Sequence, residues 1–283
     1  MPTKEFNIAV FESTMKAIDA SPSIKKDIDN AIAAQKYYFG DAPAPTADRF
    51  DTPCSISLTR NRTVDAGRAV LKAVSTVKVA ILNFASATRP GGGVTTGSSA
   101  QEECICRVSG LYKCLTTPAA VKCFYEHHKK NVGSLHNDDI IYTPNVPVLK
   151  TYDYDMLDDT VYLDVITCAA PNLREKNISK YNQERELAPD ISDNELYDLH
   201  VRRARQILNV AALNGADVVI LGAFGCGAFR NKPEVVAKAY ADILPEYAKQ
   251  FKAIEFAVYC PAGKPTDNYD AFKAVFGSRH ANS

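Results

Sequence analysis

The sequence has no excess charge of either sign, since 33 Lys and Arg balance 33 Asp and Glu. That balance excludes a chain-wide basic surface of the kind that grips duplex DNA or an acidic membrane. It leaves room for a local pocket that takes an anion. No apolar run approaches the roughly 18–20 residues of a membrane span. The start, Met1-Pro2-Thr3-Lys4-Glu5-Phe6, lacks the basic opening and long apolar core of a secretory signal, so an intracellular and by default cytoplasmic setting is expected. Metal-ligand spacing is also lacking. Of the eight cysteines only Cys104-x-Cys106 stand close together, with Cys114, Cys123, His127 and His128 further on, and there is no Cys-x-x-Cys pair. Free thiols, no metal and no cofactor are the expectation. No internal repeat is present.

What is there is an ordinary globular composition, with hydrophobic residues at 46% over 283 residues, enough for one large core. Phe6, Val10, Met15 and Ile18, then Ile24, Ile28, Ile32 and Tyr38, recur at helical spacing on either side of Ser21-Pro22. Residues 1–50 are therefore expected to form a helical extension, closed by the proline loop from Asp41 to Thr46, on a body covering 51–283. In the body, strands are predicted at 77–85, 139–148, 161–170, 217–224 and 254–260. Helices are predicted at 63–73, 100–115, 194–213, 233–244 and 266–276. Strand runs such as Val-Val-Ile-Leu are apolar on consecutive residues, which requires helices on both faces of the sheet. The fold class is α/β. The stretches 151–160 and 174–192 are polar enough to be read as surface excursions.

Two loops carry chemistry. After the first strand comes Arg89-Pro90-Gly91-Gly92-Gly93. Three consecutive glycines are costly to order and suit a backbone that something must approach closely; a tight turn, the plainer use, seldom needs three. Ser99 to Glu102 has capping-box spacing, and Ile105, Val108, Leu111 and Leu115 fall on one helical face. A helix is thus expected from Ala100, presenting Gln101, Glu102 and Glu103 in its first turn. The helix dipole and a cap account for Glu102. They do not account for Glu103, one step further round the helix.

The second loop, Gly222-Ala223-Phe224-Gly225-Cys226-Gly227-Ala228-Phe229-Arg230-Asn231, joins a strand to a helix starting at Pro233, with Asn231 expected as N-cap. A glycine loop ahead of a helix N-terminus is suited to phosphate. No Gly-Lys-Ser/Thr follows, and the spacing is not that of a dinucleotide fingerprint. The two loops together imply a crevice for a phosphorylated ligand, with Glu103 at its reactive end.

Gly91-Gly92-Gly93, seven residues, then Gln101-Glu102-Glu103 resembles the signature of poly(ADP-ribose) glycohydrolases. Leu82-Asn83-Phe84-Ala85-Ser86-Ala87 with Pro90, and Leu221 to Asn231, are similar to the microbial branch of that family. The likeness runs from about Thr63 to Phe276 and no motif residue is missing. It implies a macrodomain-like mixed sheet sandwiched between helices, with ADP-ribose in a cleft across its top. It implies hydrolysis of ribose–ribose O-glycosidic bonds in poly(ADP-ribose) or on ADP-ribosylated proteins, releasing ADP-ribose. By the same resemblance Glu103 is catalytic acid and base, Glu102 holds the ribose hydroxyls, and Gln101 orders the loop. Gly91, Gly92 and Gly93 approach ribose and phosphate; Gly225, Cys226, Gly227 and Ala228 wrap the diphosphate with Phe229, which also sets the terminal ribose. Two alternatives stay open: a mono(ADP-ribosyl) hydrolase, and a macrodomain that binds ADP-ribose without cleaving it. Paired carboxylates argue against the second, because binding alone does not need them. A monomer without membrane or direct DNA contact is expected.

Overall fold

Side chains along each central strand alternate between two hydrophobic cores, one on either face of a single sheet. The computed structural model describes residues 2–175, 188–261 and 263–277. Its strands are β1 (Lys36–Tyr38), β2 (Ser55–Thr59), β3 (Val79–Phe84), β4 (Ile140–Lys150), β5 (Met156–Cys168), β6 (Val218–Leu221) and β7 (Ala253–Ala257). They form one mixed sheet in the order β1-β4-β5-β3-β6-β7-β2. The β1–β4 and β4–β5 pairs are antiparallel, while β5, β3, β6, β7 and β2 are mutually parallel.

The helices are α1 (Lys4–Ala20), α2 (Pro22–Ala33), α3 (Thr63–Ala73), α4 (Gln101–Val108), α5 (Leu111–Leu115), α6 (Pro118–Ala120), α7 (His127–Asn131), α8 (Asp193–Leu213), α9 (Pro233–Ile243) and α10 (Asp267–Phe276). On one face Ala80, Leu82, Ile166, Val219 and Leu221 meet Ile207, Ala211, Val236 and Tyr240 of α8 and α9, and Phe272 of α10. On the other, Ile81, Val165 and Ile220 meet Val64 of α3 and Ile105 and Val108 of α4. Both faces are covered, which is why the strands read as apolar on consecutive residues. The α/β expectation holds. No helix among the described residues is long and apolar enough to cross a membrane.

Residues 1–50 do more than add helices. Ile18, Ile24, Ile28 and Ala31 form a small core with Cys114 and Leu149, and β1 continues the sheet beside β4, with Lys36 opposite Tyr142. Tyr38, assigned to a helical stripe from its spacing, lies in that strand. Its edge position leaves too short an apolar run to read. Ser55–Thr59 was missed for the same reason.

The helix expected over 100–115 is broken at Ser109 and Gly110. Ser109 is extended (φ −143°, ψ 174°) and bridges Val148 of β4, and the Gly110 N–H donates to the Pro147 carbonyl (2.8 Å). A side chain at Gly110 would sit 2.9 Å from Ile28. Contact with α2 and β4 overrides the helical periodicity. The stretch 151–160 is not all surface: Tyr152 is buried, and β5 begins at Met156. Residues 176–187, within the stretch 174–192, lie outside the described residues.

Candidate active site

In open sheets with parallel strands, ligands bind where the carboxyl ends of the strands leave a crevice. Here the residues at and just beyond the ends of β3, β5, β6 and β7 surround a cavity of about 430 Å³. Its walls include Phe84 and Ser86, Ala170, Ala223, Gly225, Gly227 to Phe229, and Ala257 to Tyr259, and the N-terminal turn of α4 projects Gln101, Glu102 and Glu103 into it. The two loops separated by more than a hundred residues thus meet in one cleft.

Each member of the triplet has a separate tether. Gln101 joins three elements: its Nε2 donates to the Leu82 carbonyl (2.7 Å) and the Thr63 hydroxyl (3.1 Å), and its Oε1 accepts from the Phe84 N–H (2.9 Å). Glu102 is 2% exposed. Its Oε1 accepts from Asn83 Nδ2 (3.3 Å) and its Oε2 from the Ser86 N–H (2.8 Å). Burial pushes the Glu102 carboxyl up to about 8; the Ser86 N–H pulls against this, and the negative charge of Glu103 beside it adds to the rise. Glu103, 7% exposed, accepts the Gly93 N–H on Oε1 (2.8 Å), while its buried Oε2 has no hydrogen-bond partner among the described residues.

The glycines explain themselves against these carboxylates. Gly92 has φ +58°, and a Cβ there would lie 2.4 Å from Glu103 Oε1 and 3.1 Å from Glu102 Oε2. Gly91 (φ +64°) would strike Tyr112 at 2.7 Å, and Gly93 would strike Ser98 at 2.3 Å on its Oγ. The capping box is not formed. The N-cap is Ala100 with no side-chain bond, and Glu102 turns inward to β3 instead of back to the helix end. Nor does Asn231 cap α9. Lys232 is the N-cap, and the Asn231 side chain is spent inside the second loop.

A family model described as microbial-type PARG, catalytic domain, matches residues 8–151, just over half of the chain. A poly(ADP-ribose) glycohydrolase from Thermomonospora curvata is 30% identical with a TM-score of 0.81, over 95% of this chain and 99% of that one. The chain belongs to the microbial-type poly(ADP-ribose) glycohydrolase family. The Thermomonospora enzyme bound to the inhibitor ADP-HPD is 29% identical (TM-score 0.79, 95% and 98% of the two chains). The Deinococcus radiodurans enzyme in complex with ADP-ribose is 28% identical (TM-score 0.71, 89% and 97%). No curated protein matches.

Within this microbial-type glycohydrolase chain, Gln101, Glu102, Glu103, Gly225, Gly227, Ala228 and Phe229 line the cleft. Gly91, Gly92 and Gly93 stand behind the carboxylates and are not part of the lining. Cys226 also stays out of it. Half-buried, it packs into the core, and burial pushes its thiol well up. Among the described residues the N–H groups of Gly227, Ala228 and Phe229 donate to no protein acceptor. All eight cysteines are free thiols, and no group of three or more His, Cys, Asp or Glu placed to hold a metal occurs among the described residues.

The sequence reading missed one wall. The Arg62 guanidinium lies over the rings of Tyr152 (4.8 Å) and Tyr259 (4.3 Å) and donates to the Tyr259 hydroxyl (3.0 Å), and all three line the cleft with Asn268. Tyr259 follows a parallel strand that ends at Ala257, three residues earlier than its apolar run. Position just past a strand end was the signal available for it. Nothing in the sequence marks Tyr152.

Proposed function

We propose that this chain hydrolyses the ribose–ribose O-glycosidic bonds of poly(ADP-ribose), releasing ADP-ribose, with Glu103 as general acid and then general base. Splitting such a bond passes through an oxocarbenium-like state and needs a proton for the departing oxygen and a water to attack C1. The reading rests on one asymmetry. Glu102 has both oxygens engaged by the end of β3 and its loop, whereas Glu103 is steered by a single N–H and keeps one oxygen unpaired. The group with a free oxygen is the one able to pass a proton to the leaving ribose and take another from water. Each Glu102 oxygen has a second lone pair, and its carboxyl, largely protonated at neutral pH, can also donate to a ribose hydroxyl. The diphosphate is assigned to the free N–H groups of Gly227, Ala228 and Phe229, with Gly225 turning the loop at the cleft wall and Cys226 packed behind it. Gly91, Gly92 and Gly93 act by letting the carboxylates sit close to the backbone.

Glu103→Gln keeps the accepting oxygen for Gly93 but cannot cycle a proton. Turnover of labelled polymer is expected to fall by about 10²–10⁴-fold, with ADP-ribose affinity within roughly tenfold of wild type. Glu102→Gln places an amide NH₂ against a donor from Asn83 or Ser86 and should lose both binding and turnover. The raised Glu102 carboxyl favours one competing assignment, in which Glu102 supplies the proton. An active Glu103→Gln protein beside a Glu102→Gln protein that binds ADP-ribose but is inert would establish that assignment instead.

A further inference from the structure

The second loop is held from behind by a pair of buried polar side chains that the hydrolytic machinery does not use. Asn231 is 2% exposed. Its Nδ2 faces three carbonyls: Pro171 at 2.6 Å, Gly225 at 3.1 Å and Phe229 at 3.4 Å. Carbonyl oxygens only accept, so the NH₂ edge of the amide must point at them and Oδ1 must point away. Away from them, at 2.8 Å, is Nε2 of His200 on α8. That nitrogen therefore carries the hydrogen.

We propose that His200 is a positioning residue that acts through Asn231: its Nε2–H fixes the amide so that Asn231 ties both ends of the loop from Gly225 to Phe229 to the strand-end segment at Pro171. The inference rests on the reading of that loop as the diphosphate site. Gly225 is fitted to the clasp, since at φ +78° any Cβ there would lie 2.6 Å from Asn231 Nδ2. The backbone repeats the tie, with the Asn231 N–H donating to the Gly225 carbonyl (3.1 Å) and the Leu173 N–H to the Phe229 carbonyl (3.0 Å). One turn along α8, the buried Arg203 donates to the Ala169 carbonyl (2.8 Å) and to Asp138, so the same helix face holds the strand-end segment as well. With His200 enclosed, edge-on to the Phe224 ring at 6.2 Å, burial pushes its pKa down to about 4, and the Arg203 charge acts in the same direction. The imidazole stays neutral near neutral pH, with Nε2–H as its one donor.

If His200 is lost, the three carbonyls still hold the NH₂ edge, but Oδ1 is left buried without its partner. The clasp is weakened without the loss of any group that touches ligand. His200→Leu is expected to weaken ADP-ribose binding by roughly 3- to 10-fold, the size of one hydrogen bond, with the loss falling on KM more than on kcat. His200→Gln, whose side-chain amide reaches the same point as a donor, should recover most of that affinity. Calorimetry with ADP-ribose on both variants, after a thermal melt shows them folded, makes the comparison. A folded His200→Leu protein that binds as tightly as wild type overturns the proposal, as does a His200→Gln protein equally impaired. Nitrogen-15 spectra of wild type, which need no variant, should show Nε2 protonated and Nδ1 bare at neutral pH; the opposite tautomer, with Nε2 bare, also overturns it. Failure of wild type itself to bind ADP-ribose would instead bring down the reading of the loop, and this proposal with it.

Discussion

Two adjacent glutamates in one helical turn are given different work by what lies behind them. Glu102 points down the end of β3, where an amide and a backbone N–H hold both its oxygens; Glu103 points into the glycine loop, where Gly93 holds one. A separation of this kind is cheap in sequence and depends on backbone proximity, which is where the glycines enter. Gly92→Ala adds a Cβ at 2.4 Å from Glu103 Oε1 on a backbone at φ +58°, a conformation costing about 1–2 kcal/mol for an L-residue. Gly227 differs: a Cβ there meets nothing within 4 Å and φ is not in the left-handed region. The two substitutions should therefore split function. Displacing a catalytic group by about 1 Å can cost on the order of 10²-fold in rate, so Gly92→Ala is expected to lose turnover at least tenfold and change ADP-ribose affinity little. Gly227→Leu should fold with an unchanged melting temperature and lose affinity, because its side chain crowds the N–H groups of the second loop. Steady-state kinetics and calorimetry on the pair check this, and equal losses of affinity in both would count against the separate roles.

At the scale of elements, the loop from Gly91 to Gly97 and the helix after it are gripped between the sheet and α1. Asn7 Nδ2 donates to the Gly97 carbonyl (3.0 Å), the Thr14 hydroxyl to the Arg107 carbonyl (2.6 Å), and Phe11 meets Tyr112 edge-on at 4.9 Å, directly under Gly91. Gly97, at φ +79°, leaves no room for a Cβ against the Lys4 carbonyl at 2.4 Å. Asn7→Ala orphans a carbonyl in a buried contact, for about 1–3 kcal/mol. At roughly 2–4 °C per kcal/mol for a chain of this size, the melting temperature should drop several degrees, and turnover should fall with it if α1 sets the loop. A melt and a rate measurement on the same preparation test both. The helical spacing of Val10 and Ile18 was legible, as were the loops themselves, because glycine and paired carboxylates are rare in that order. What was not legible has a common physical origin. Ser109 and Gly110 break a helix whose periodicity is intact, because β4 and Ile28 claim them. Asn231 and Glu102 have the spacing of caps and serve instead as buried anchors. Tyr152 lies in an acidic stretch and is buried because the turn between β4 and β5 brings its ring under Arg62 at the start of α3. Local pattern gives periodicity; it does not give the competing partner.

For the whole molecule, one helix-covered mixed sheet gathers chemistry at the carboxyl ends of its parallel strands, and the burial this needs has a titration cost. Glu102 binds its proton with a pKa of about 8 when folded, against 4.5 in an unfolded chain. Between those values the folded state holds a proton that the unfolded state has released. Stability is therefore fully present below about 4.5 and declines as pH rises to about 8, by at most about 1.4 kcal/mol per pH unit. His200 has the opposite sign. Its folded pKa of about 4 lies below the unfolded 6.5, and burial lowers His128 in the same direction, so both cost stability as pH falls below 6.5. From 4.5 to 6.5 the two slopes oppose each other; from 6.5 to 8, of these three groups, Glu102 alone still titrates. Urea midpoints for wild type should therefore decline between pH 6.5 and 8. In Glu102→Gln, where nothing titrates at that position, the midpoint should be lower throughout, because a hydrogen bond is lost, but flat across that interval. The same decline in the variant as in wild type would mean that the proton taken up by the folded molecule near neutrality belongs to some other group.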